Sequence, residues 1–344
     1  MSFRHKFRAH DGRMHRLDVP RAERLLDRIR GKRILVVGDL MLDVYLRGGA
    51  SRISPEAPVP VVRVRDEWRA LGGAANVAAN LVALGAGVPL VGALGDDGAA
   101  HDFRAVAASA GIETDGLVAL PDRPSTVKTR VLVGHQQVAR YDREVDTDVD
   151  PAVAEALALR VEERAATADA IVLEDYDKGV LVPAVIEAAL DAGRRRQIPV
   201  VVDPKARHFF DYRGCTVFKP NEPELAAALR AELRPDDAEW LEETRRHLQC
   251  QALLLTLGAR GMVLARNAAP LRIPAVARAV YDVSGAGDTV TAVVAATLAA
   301  GGSYEEGAVL ATHAAGIEVG KAGVVTVSPE EILESVRHHE NLRS

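Results

Sequence analysis

The best candidate for a reactive group in this sequence is Asp288, which follows the small-residue loop 284–287 and opens a largely apolar segment. Gly285, Ala286 and Gly287 let the backbone approach a ligand closely. The free N–H groups at a helix start then favour an anion. A carboxylate at the edge of such an anion hole can take the proton of an attacking hydroxyl. By itself, an ordinary tight loop before a buried helix explains this segment equally well.

Polar residues follow the apolar strands of the sequence at the points where those strands end. Asp39, the carboxylate-rich segment 174–179, Asp203 and the segment 219–224 each come directly after such a strand. The carboxyl ends of the strands in a doubly wound sheet converge on one crevice, so we expect these residues to line a single site. Their convergence is stronger evidence for a site than any one segment.

Each segment also has a simpler explanation. The segment 72–76 could be a helix start with a packing glycine, and 174–179 could be a solvated loop, although its carboxylates would be costly to bury without partners. The segment 219–224 suits a capped helix with an acidic first turn. Asparagine and glutamate at this spacing also suit Mg²⁺, which prefers oxygen ligands.

Repeated alternation of strand-like and helix-like segments predicts an α/β fold, a doubly wound and mostly parallel sheet with helices on both faces. Two segments, about 49–65 and 124–144, contain residues typical of strands and no helix-like stretch. We expect them to form a small β lid inserted into the main domain. Residues 1–20 are predicted to be a mobile leader, and 21–344 to be the domain itself.

Composition excludes several classes of protein. With 344 residues and a net charge of −5, the chain has no global basic field that would indicate nucleic-acid binding. Cys215 and Cys250 are the only cysteines, too few for a disulfide framework, which favours a reducing cytoplasm. No apolar run approaches the ~20 residues of a membrane span, so we expect no membrane partner.

The segment 281–290 resembles the C-terminal signature of the PfkB (ribokinase-like) carbohydrate kinases, and the resemblance extends over about 31–335. It implies that Asp288 is the catalytic base and that Gly285, Ala286 and Gly287 form the anion hole. It implies sugar binding by Asp43, Gly72, Gly73 and Asn76. Further residues would bind ATP phosphates or Mg²⁺ (Asn221, Glu224), the nucleotide (Thr256, Gly258, Arg260, Gly261, His313) and a monovalent cation such as K⁺ (Asp282, Ser284, with Gly323 nearby). His313 could equally be a core histidine.

Within that family, the segments 38–43, 51–61, 176–179 and 282–289 are most similar to the D-glycero-β-D-manno-heptose 7-phosphate kinases of lipopolysaccharide-core biosynthesis. This implies ATP-dependent phosphorylation of the anomeric hydroxyl of a sugar that already carries one phosphate. Such an acceptor needs cations in its pocket. The candidate substrate-binding residues are Arg52, Arg140, Lys178 and Lys205, together with Asp175.

The chain has no His-x-Gly-His motif, so the resemblance predicts a stand-alone kinase followed in its pathway by a separate adenylyltransferase. Exposed edges of a β lid favour pairing between subunits, and the family commonly dimerises through such a lid, so we predict a homodimer. Two alternatives remain: another kinase of the family (ribokinase, fructokinase or phosphofructokinase type), and a non-catalytic ligand-binding protein on the same fold.

Overall fold

The computed structural model describes residues 17–134, 136–267, 269–277, 280–321 and 323–342. In these residues the strands form one sheet of nine strands and a second sheet of four. The large sheet has the order β13-β12-β11-β10-β9-β8-β1-β4-β5, and only the β11–β12 and β12–β13 pairs are antiparallel. Its strands are β1 (Ile34–Gly38), β4 (Pro89–Gly95), β5 (Glu113–Leu120), β8 (Ala170–Glu174), β9 (Val200–Asp203), β10 (Val217–Phe218), β11 (Ala252–Thr256), β12 (Met262–Ala265) and β13 (Leu271–Ile273).

Helices cover both faces of this sheet, as the predicted fold class requires. Strands β1 and β8 are buried along their whole length, which is expected of parallel strands covered on both sides. Alternate residues divide between two apolar cores: Ile34 and Val36 belong to one, Leu35 and Val37 to the other. The helices are α1 (Val19–Ile29), α2 (Ala74–Ala83), α3 (Gly98–Ser109), α4 (Pro151–Ala165), α5 (Pro183–Arg196), α6 (Glu222–Leu229), α7 (Ala238–His247), α8 (Ala286–Ala299), α9 (Tyr304–Glu318) and α10 (Pro329–Asn341).

The four-stranded sheet forms the lid, in the order β3-β2-β6-β7. Its strands are β2 (Leu40–Ile53), β3 (Pro60–Gly73), β6 (Thr126–Val133) and β7 (Gln136–Arg143). The predicted bounds of its first segment, 49–65, are too short, because β2 begins one residue after β1 and β3 runs on to the start of α2. Asp43 therefore lies within a strand, where it is the partner of Ala70 in β3.

Other boundaries also differ from the prediction. The end of the predicted leader, residues 19 and 20, belongs to α1, whose N-terminus is capped by the Asp18 side chain; residues 1–16 lie outside the described part of the chain. Strands β5 and β13 and helices α7 and α10 were not predicted. No helix among the described residues is long and apolar enough to cross a membrane.

Candidate active site

A cleft of about 470 Å³ opens where β8, β9 and β10 end and α8 begins. The cleft brings together charged side chains from strand ends, the backbone at the start of α8 and an apolar wall from α9. The predicted convergence of strand ends on one crevice is thus present for β8, β9 and β10. Asp39, which follows β1, does not line the cleft, because it is buried and accepts hydrogen bonds from backbone N–H groups of the segment 176–180. The polar lining of the cleft includes Tyr176, Asp203, Lys205, Lys219, Asn221, Glu224, Thr256, Thr312 and Asp288.

Asp288 lies in the first turn of α8 and is almost fully buried. Its two carboxylate oxygens are held separately: Asn76 Nδ2 donates to Oδ2 at 2.7 Å, and Tyr176 Oη donates to Oδ1 at 2.7 Å. Burial raises the pKa of Asp288 to about 6, although these two hydrogen bonds act in the opposite direction. A carboxyl group with that pKa is ionised at neutral pH and still basic enough to accept a proton.

The loop before Asp288 depends on glycine at one position. Gly285 caps α8 with φ of 95°, in the left-handed region, and a Cβ there would lie 2.9 Å from Glu318 Oε1 and 3.0 Å from Asn76 Nδ2. A side chain at Gly285 would therefore be strained and would press on Asn76, which holds the base. The first N–H groups of α8 have no partner within the helix, as at any helix start, and together with the helix dipole they favour an anion.

Two further carboxylates lie next to the base. Single oxygens of Glu174, Asp203 and Asp288 all lie within 4.8 Å of one another, and all three residues are buried. Lys219 Nζ pairs with Asp203 Oδ2 at 2.7 Å. Burial lowers the pKa of Lys219, but Asp203 and Glu174 outweigh that effect, so its pKa is raised and the ammonium stays charged.

Glu174 is the unusual member of this group. It is completely buried, and neither carboxyl oxygen has a hydrogen-bond partner among the described residues. Burial, then the charges of Asp203 and Asp288, raise its pKa well above the ordinary value. An unsatisfied carboxyl beside two more carboxylates is a site where a hard cation would fit, since such cations take oxygen ligands.

The resemblance gave no individual role to four residues of the strand ends that were expected to line one site: Glu174, Tyr176, Asp203 and Lys219. Glu174 and Asp203 end strands that pair side by side, and Lys219 follows the strand next to them. The signal in the sequence was a charged residue at the end of each apolar strand. That signal did not say which of two adjacent polar residues points toward the cleft.

Most of the candidate nucleotide residues line the cleft. Asn221 and Glu224 make a capping box at the start of α6: Asn221 Oδ1 accepts from Glu224 N at 2.9 Å, and Glu224 Oε2 accepts from Asn221 N at 2.8 Å. The simpler explanation, a capped helix start, therefore holds, and both residues also line the cleft. Thr256, Gly258 and Gly261 line it as well, whereas Arg260 is exposed and pairs with Glu222 outside the lining.

On the acceptor side, Asp43 is buried in β2 and pairs with Arg130 of β6, with Arg130 Nη1 2.6 Å from Asp43 Oδ1. Gly72 faces Asp43 so closely that a Cβ would lie 2.9 Å from Asp43 Oδ2. From Gly72 the chain passes through Gly73 into α2, where Asn76 reaches Asp288. The predicted sugar-binding residues thus form one continuous wall that leads to the base.

The four predicted phosphate-binding cations lie in three different places. Lys178 and Arg140 lie on the acceptor side, Lys178 paired with Glu144 and Arg140 with Asp142. Lys205 lies on the nucleotide side, where it pairs with Glu224 and lies over the Tyr176 ring. Arg52 lies nine positions beyond Asp43 on β2, roughly 30 Å along a strand, and is exposed. Grouping all four in one phosphate pocket was therefore wrong.

Two further predicted residues point away from the cleft. Asp175 accepts a hydrogen bond from Tyr212 Oη at 2.7 Å within the second apolar core, because it follows Glu174 along the strand and takes the opposite side. His313 is buried, with Nδ1 2.8 Å from Ser335 Oγ and its ring against His339 of α10. It is the core histidine of the alternative explanation rather than a lining residue.

The candidate cation residues Asp282 and Ser284 lie in the loop before α8. Asp282 Oδ1 accepts the Ser284 N–H at 2.9 Å, a local turn that also shapes the loop. Backbone hydrogen bonds from Tyr281 and Asp282 to Val319 O attach the loop to the end of α9. Gly323 follows in the next segment with φ of 77°.

The chain resembles known proteins in sequence and in fold. Residues 32–331 match the model of the pfkB family carbohydrate kinases. The chain is 44% identical over 319 residues to the bifunctional protein HldE of Geotalea uraniireducens, covering 92% of this chain and 65% of that protein. It is 46% identical over 308 residues to the bifunctional protein HldE of Caulobacter vibrioides, covering 88% and 63%. The chain therefore spans just under two thirds of the length of these relatives.

Solved structures share the fold. A ribokinase from Arabidopsis thaliana complexed with ribose and ATP superposes with a TM-score of 0.67 at 20% identity, over 90% of this chain and 99% of that one. Phosphofructokinase-2 from Escherichia coli in complex with potassium gives a TM-score of 0.75 at 17% identity, again over 90% and 99%. A family match over nearly the whole domain, together with this ribokinase-like fold, establishes that the chain belongs to the pfkB family of carbohydrate kinases.

Proposed function

We propose that this protein transfers the γ-phosphoryl group of ATP to the anomeric hydroxyl of D-glycero-β-D-manno-heptose 7-phosphate, forming the 1,7-bisphosphate. The observation that carries the proposal is the position of Asp288, whose carboxylate lies between the wall of sugar-binding candidates and the cleft at the start of α8. The acceptor is inferred from the resemblance of the segments 38–43, 51–61, 176–179 and 282–289 to heptose 7-phosphate kinases. Membership of a carbohydrate kinase family supports the reaction class.

The reaction needs one proton acceptor and one anion site. Asp288 takes the proton of the anomeric hydroxyl, and the oxygen attacks the γ-phosphorus while the bond to the β–γ bridging oxygen breaks, releasing ADP. Asn76 and Tyr176 fix the two oxygens of the base, so that the carboxylate is oriented before the acceptor arrives. The N–H groups at the start of α8 would stabilise the charge on the transferred phosphoryl group.

A magnesium ion fits the carboxylate group beside the base. Glu174, with two unsatisfied oxygens, and Asp203 supply oxygen ligands of the kind the ion prefers, and Asn221 and Glu224 lie along the same cleft. When bound, the ion would neutralise charge on the nucleotide phosphates. Asp282 and Ser284 remain our candidates for a monovalent cation such as K⁺, in the loop that is attached to the end of α9 and whose neighbouring residue Val283 lines the cleft.

A coupled ADP-release assay with ATP and magnesium tests this function. It should compare the heptose 7-phosphate with ribose, fructose and fructose 6-phosphate, and we expect turnover on the heptose phosphate alone. Turnover on another of these sugars would overturn the acceptor but not the reaction class. Failure to release ADP with every sugar and sugar phosphate tested would contradict the kinase reaction itself and favour a ligand-binding protein on this fold.

The proposal extends to the partners of the enzyme. We propose a homodimer formed through the lid, which carries exposed apolar side chains on strands with free edges, among them Ile53, Val64 and Tyr141. We also propose that an adenylyltransferase activity acts on the product of this kinase. The relatives are named bifunctional proteins, which is consistent with two linked activities. This chain spans just under two thirds of their length.

A further inference from the structure

The acceptor side of the cleft contains a network of ion pairs in which two lysines share one carboxylate. Lys128 Nζ lies 3.0 Å from Glu144 Oε2, and Lys178 Nζ lies 3.0 Å from Glu144 Oε1. Lys128 also contacts Asp142 Oδ2 at 3.3 Å, and Arg140 contacts the same oxygen at 3.1 Å. Two ammonium groups thus converge on the two oxygens of a single side chain.

The network lies on the face of the lid that carries the sugar-binding candidates. Lys128 of β6 is the strand partner of Asp43 on one side and of Asp142 on the other, so all three side chains lie on one face. Lys178 is two residues from Tyr176, which bonds the base. Lys128 is therefore linked to the sugar-binding candidate Asp43 by strand pairing, and Lys178 is linked along the chain to Tyr176, which contacts the base.

The other cations near the cleft have partners that are more tightly held. Arg130 is bound to the buried Asp43, Lys219 to the buried Asp203 and Lys205 to Glu224. Glu144, in contrast, is the first residue after β7, in a connection without regular structure, and its side chain is 30% exposed. Among the described residues of this network, Glu144 is the carboxylate that can leave with least disturbance of the fold.

The charge of the network explains why a carboxylate is there. The lysine side chains are only 15% and 16% exposed, and two covered ammonium groups without an anion would repel each other and lose hydration. Burial would raise the pKa of Glu144, but the hydrogen bonds from both lysines outweigh it and the pKa is lowered. Glu144 therefore holds a full negative charge where the lysines converge.

We infer that Lys128 and Lys178 form the binding site for the phosphate group of the acceptor, and that Glu144 occupies this site until the phosphate displaces it. A phosphate monoester presents oxygens to two ammonium groups as a carboxylate does, with greater charge. The anomeric hydroxyl and the phosphate lie at opposite ends of the acceptor. In the wall, Lys128 lies beside Asp43, whereas Asp288 is held by Asn76. This inference rests on the proposed function and adds Lys128 and Glu144 to it.

The test compares a phosphorylated acceptor with the same sugar lacking the phosphate. Lys128→Met should raise KM for the heptose 7-phosphate by about 10- to 100-fold, the usual value of one charged hydrogen bond, and leave KM for the unphosphorylated heptose unchanged. Lys128→Arg should restore much of the loss. Glu144→Gln removes the competing charge and keeps the shape, so it should lower KM for the phosphorylated sugar only.

Asp66→Asn is the matched control, because Asp66 forms an ion pair with Arg47 elsewhere on the lid, at 3.2 Å. This variant should leave both KM values unchanged. The inference is wrong if Glu144→Gln raises KM for the phosphorylated sugar. It is also wrong if Lys128→Met raises KM equally for the phosphorylated and the unphosphorylated sugar. The wild-type enzyme could instead turn over a different sugar phosphate, and the Lys128 and Glu144 variants could change KM for that sugar phosphate in the way described. That result would overturn the proposed acceptor and support the lysine site. Wild-type turnover confined to sugars without phosphate would overturn both.

Discussion

At Asp288, folding and catalysis make opposite demands. The carboxyl is buried next to Glu174 and Asp203, and its pKa is raised from 3.8 to about 6. A raised pKa means that the folded protein favours the protonated form, so the stability contributed by protonation is complete below pH 3.8 and is lost as the pH rises through about 6. At the pH where the base works, its charge therefore destabilises the fold.

Asp288→Asn should separate these two effects. Loss of the proton acceptor should lower turnover by about 10²- to 10⁴-fold. Removal of the buried charge should raise the free energy of unfolding by up to about 3 kcal/mol above pH 6, and by little below pH 4. Denaturant unfolding at pH 8 and pH 4, beside the ADP-release assay, measures both. An asparagine variant with wild-type turnover would mean that Asp288 is not the base.

The hydrogen bond from Tyr176 should be visible in the pH profile of the enzyme. kcat/KM should fall as the pH drops through about 6, because protonated Asp288 cannot accept a proton. Tyr176→Phe removes a hydrogen-bond donor that stabilises the Asp288 carboxylate, so the pKa of Asp288 should rise. The acid limb of the profile, which is the fall of kcat/KM at low pH, should then move to higher pH.

Tyr212→Phe is the matched control for that experiment. Tyr212 donates to Asp175, another carboxyl whose pKa burial raises to about 6, but this pair lies in the second apolar core and not in the cleft. The control variant should lose stability and keep the wild-type acid limb. A shift of equal size in both variants would mean that the limb does not report on Asp288.

At the scale of the elements, α8 positions the site through its two ends. Gly285 begins the helix and Gly301 follows its last turn, and both have φ in the left-handed region, 95° and 78°. A Cβ at Gly285 would press on Asn76 and Glu318, whereas at Gly301 it would meet no described atom within 4 Å. A side chain at either position would destabilise the backbone to a similar extent, but only at Gly285 would it also press on neighbouring residues.

Gly285→Ala and Gly301→Ala should therefore lose similar backbone stability, about 1 kcal/mol each, and differ in activity. Displacement of the anion-hole loop and of Asn76 should lower turnover in Gly285→Ala on the order of 10²-fold. Gly301→Ala should turn over as the wild type does. Thermal unfolding and the ADP-release assay provide the comparison, and equal losses of turnover would argue against a special role for the loop.

At the scale of the whole molecule, the lid raises the question of assembly. The end of β2 and the segment 59–64 carry exposed apolar side chains, including Ile53 and Val64. Single exposed apolar residues are ordinary, but several on one small sheet with free edges indicate a surface that another subunit covers.

Light scattering at micromolar concentration should then give twice the mass of one chain. Val64→Asp places a charge in this surface and should shift the protein toward the monomer, whereas Leu159→Asp, at an equally exposed position on α4, should not. A monomeric wild-type protein at that concentration would contradict the proposed dimer.

The sequence by itself determined the class of fold, the parallel sheet and the glycine loop that leads into the helix with Asp288. These features depend on short-range properties: apolar runs, the period of each element and the backbone freedom of glycine. Asp43, Gly72 and Asn76 were likewise found from local patterns and the family they resemble. Their common wall with Asp288 depends on the pairing of β2 with β3 and on the hydrogen bond from Asn76 of α2 to Asp288, which local patterns do not specify.

Only the tertiary structure decided which polar residues face the cleft. Glu174 lies beside Asp203 and Asp288 at the cleft, whereas its neighbour Asp175 bonds Tyr212, because successive residues point to opposite faces and the sequence does not say which face holds the site. His313 meets α10 rather than the cleft, and Lys128 joins Lys178 on Glu144, through packing between segments distant in the chain. Such contacts depend on register and packing, which local sequence patterns do not specify.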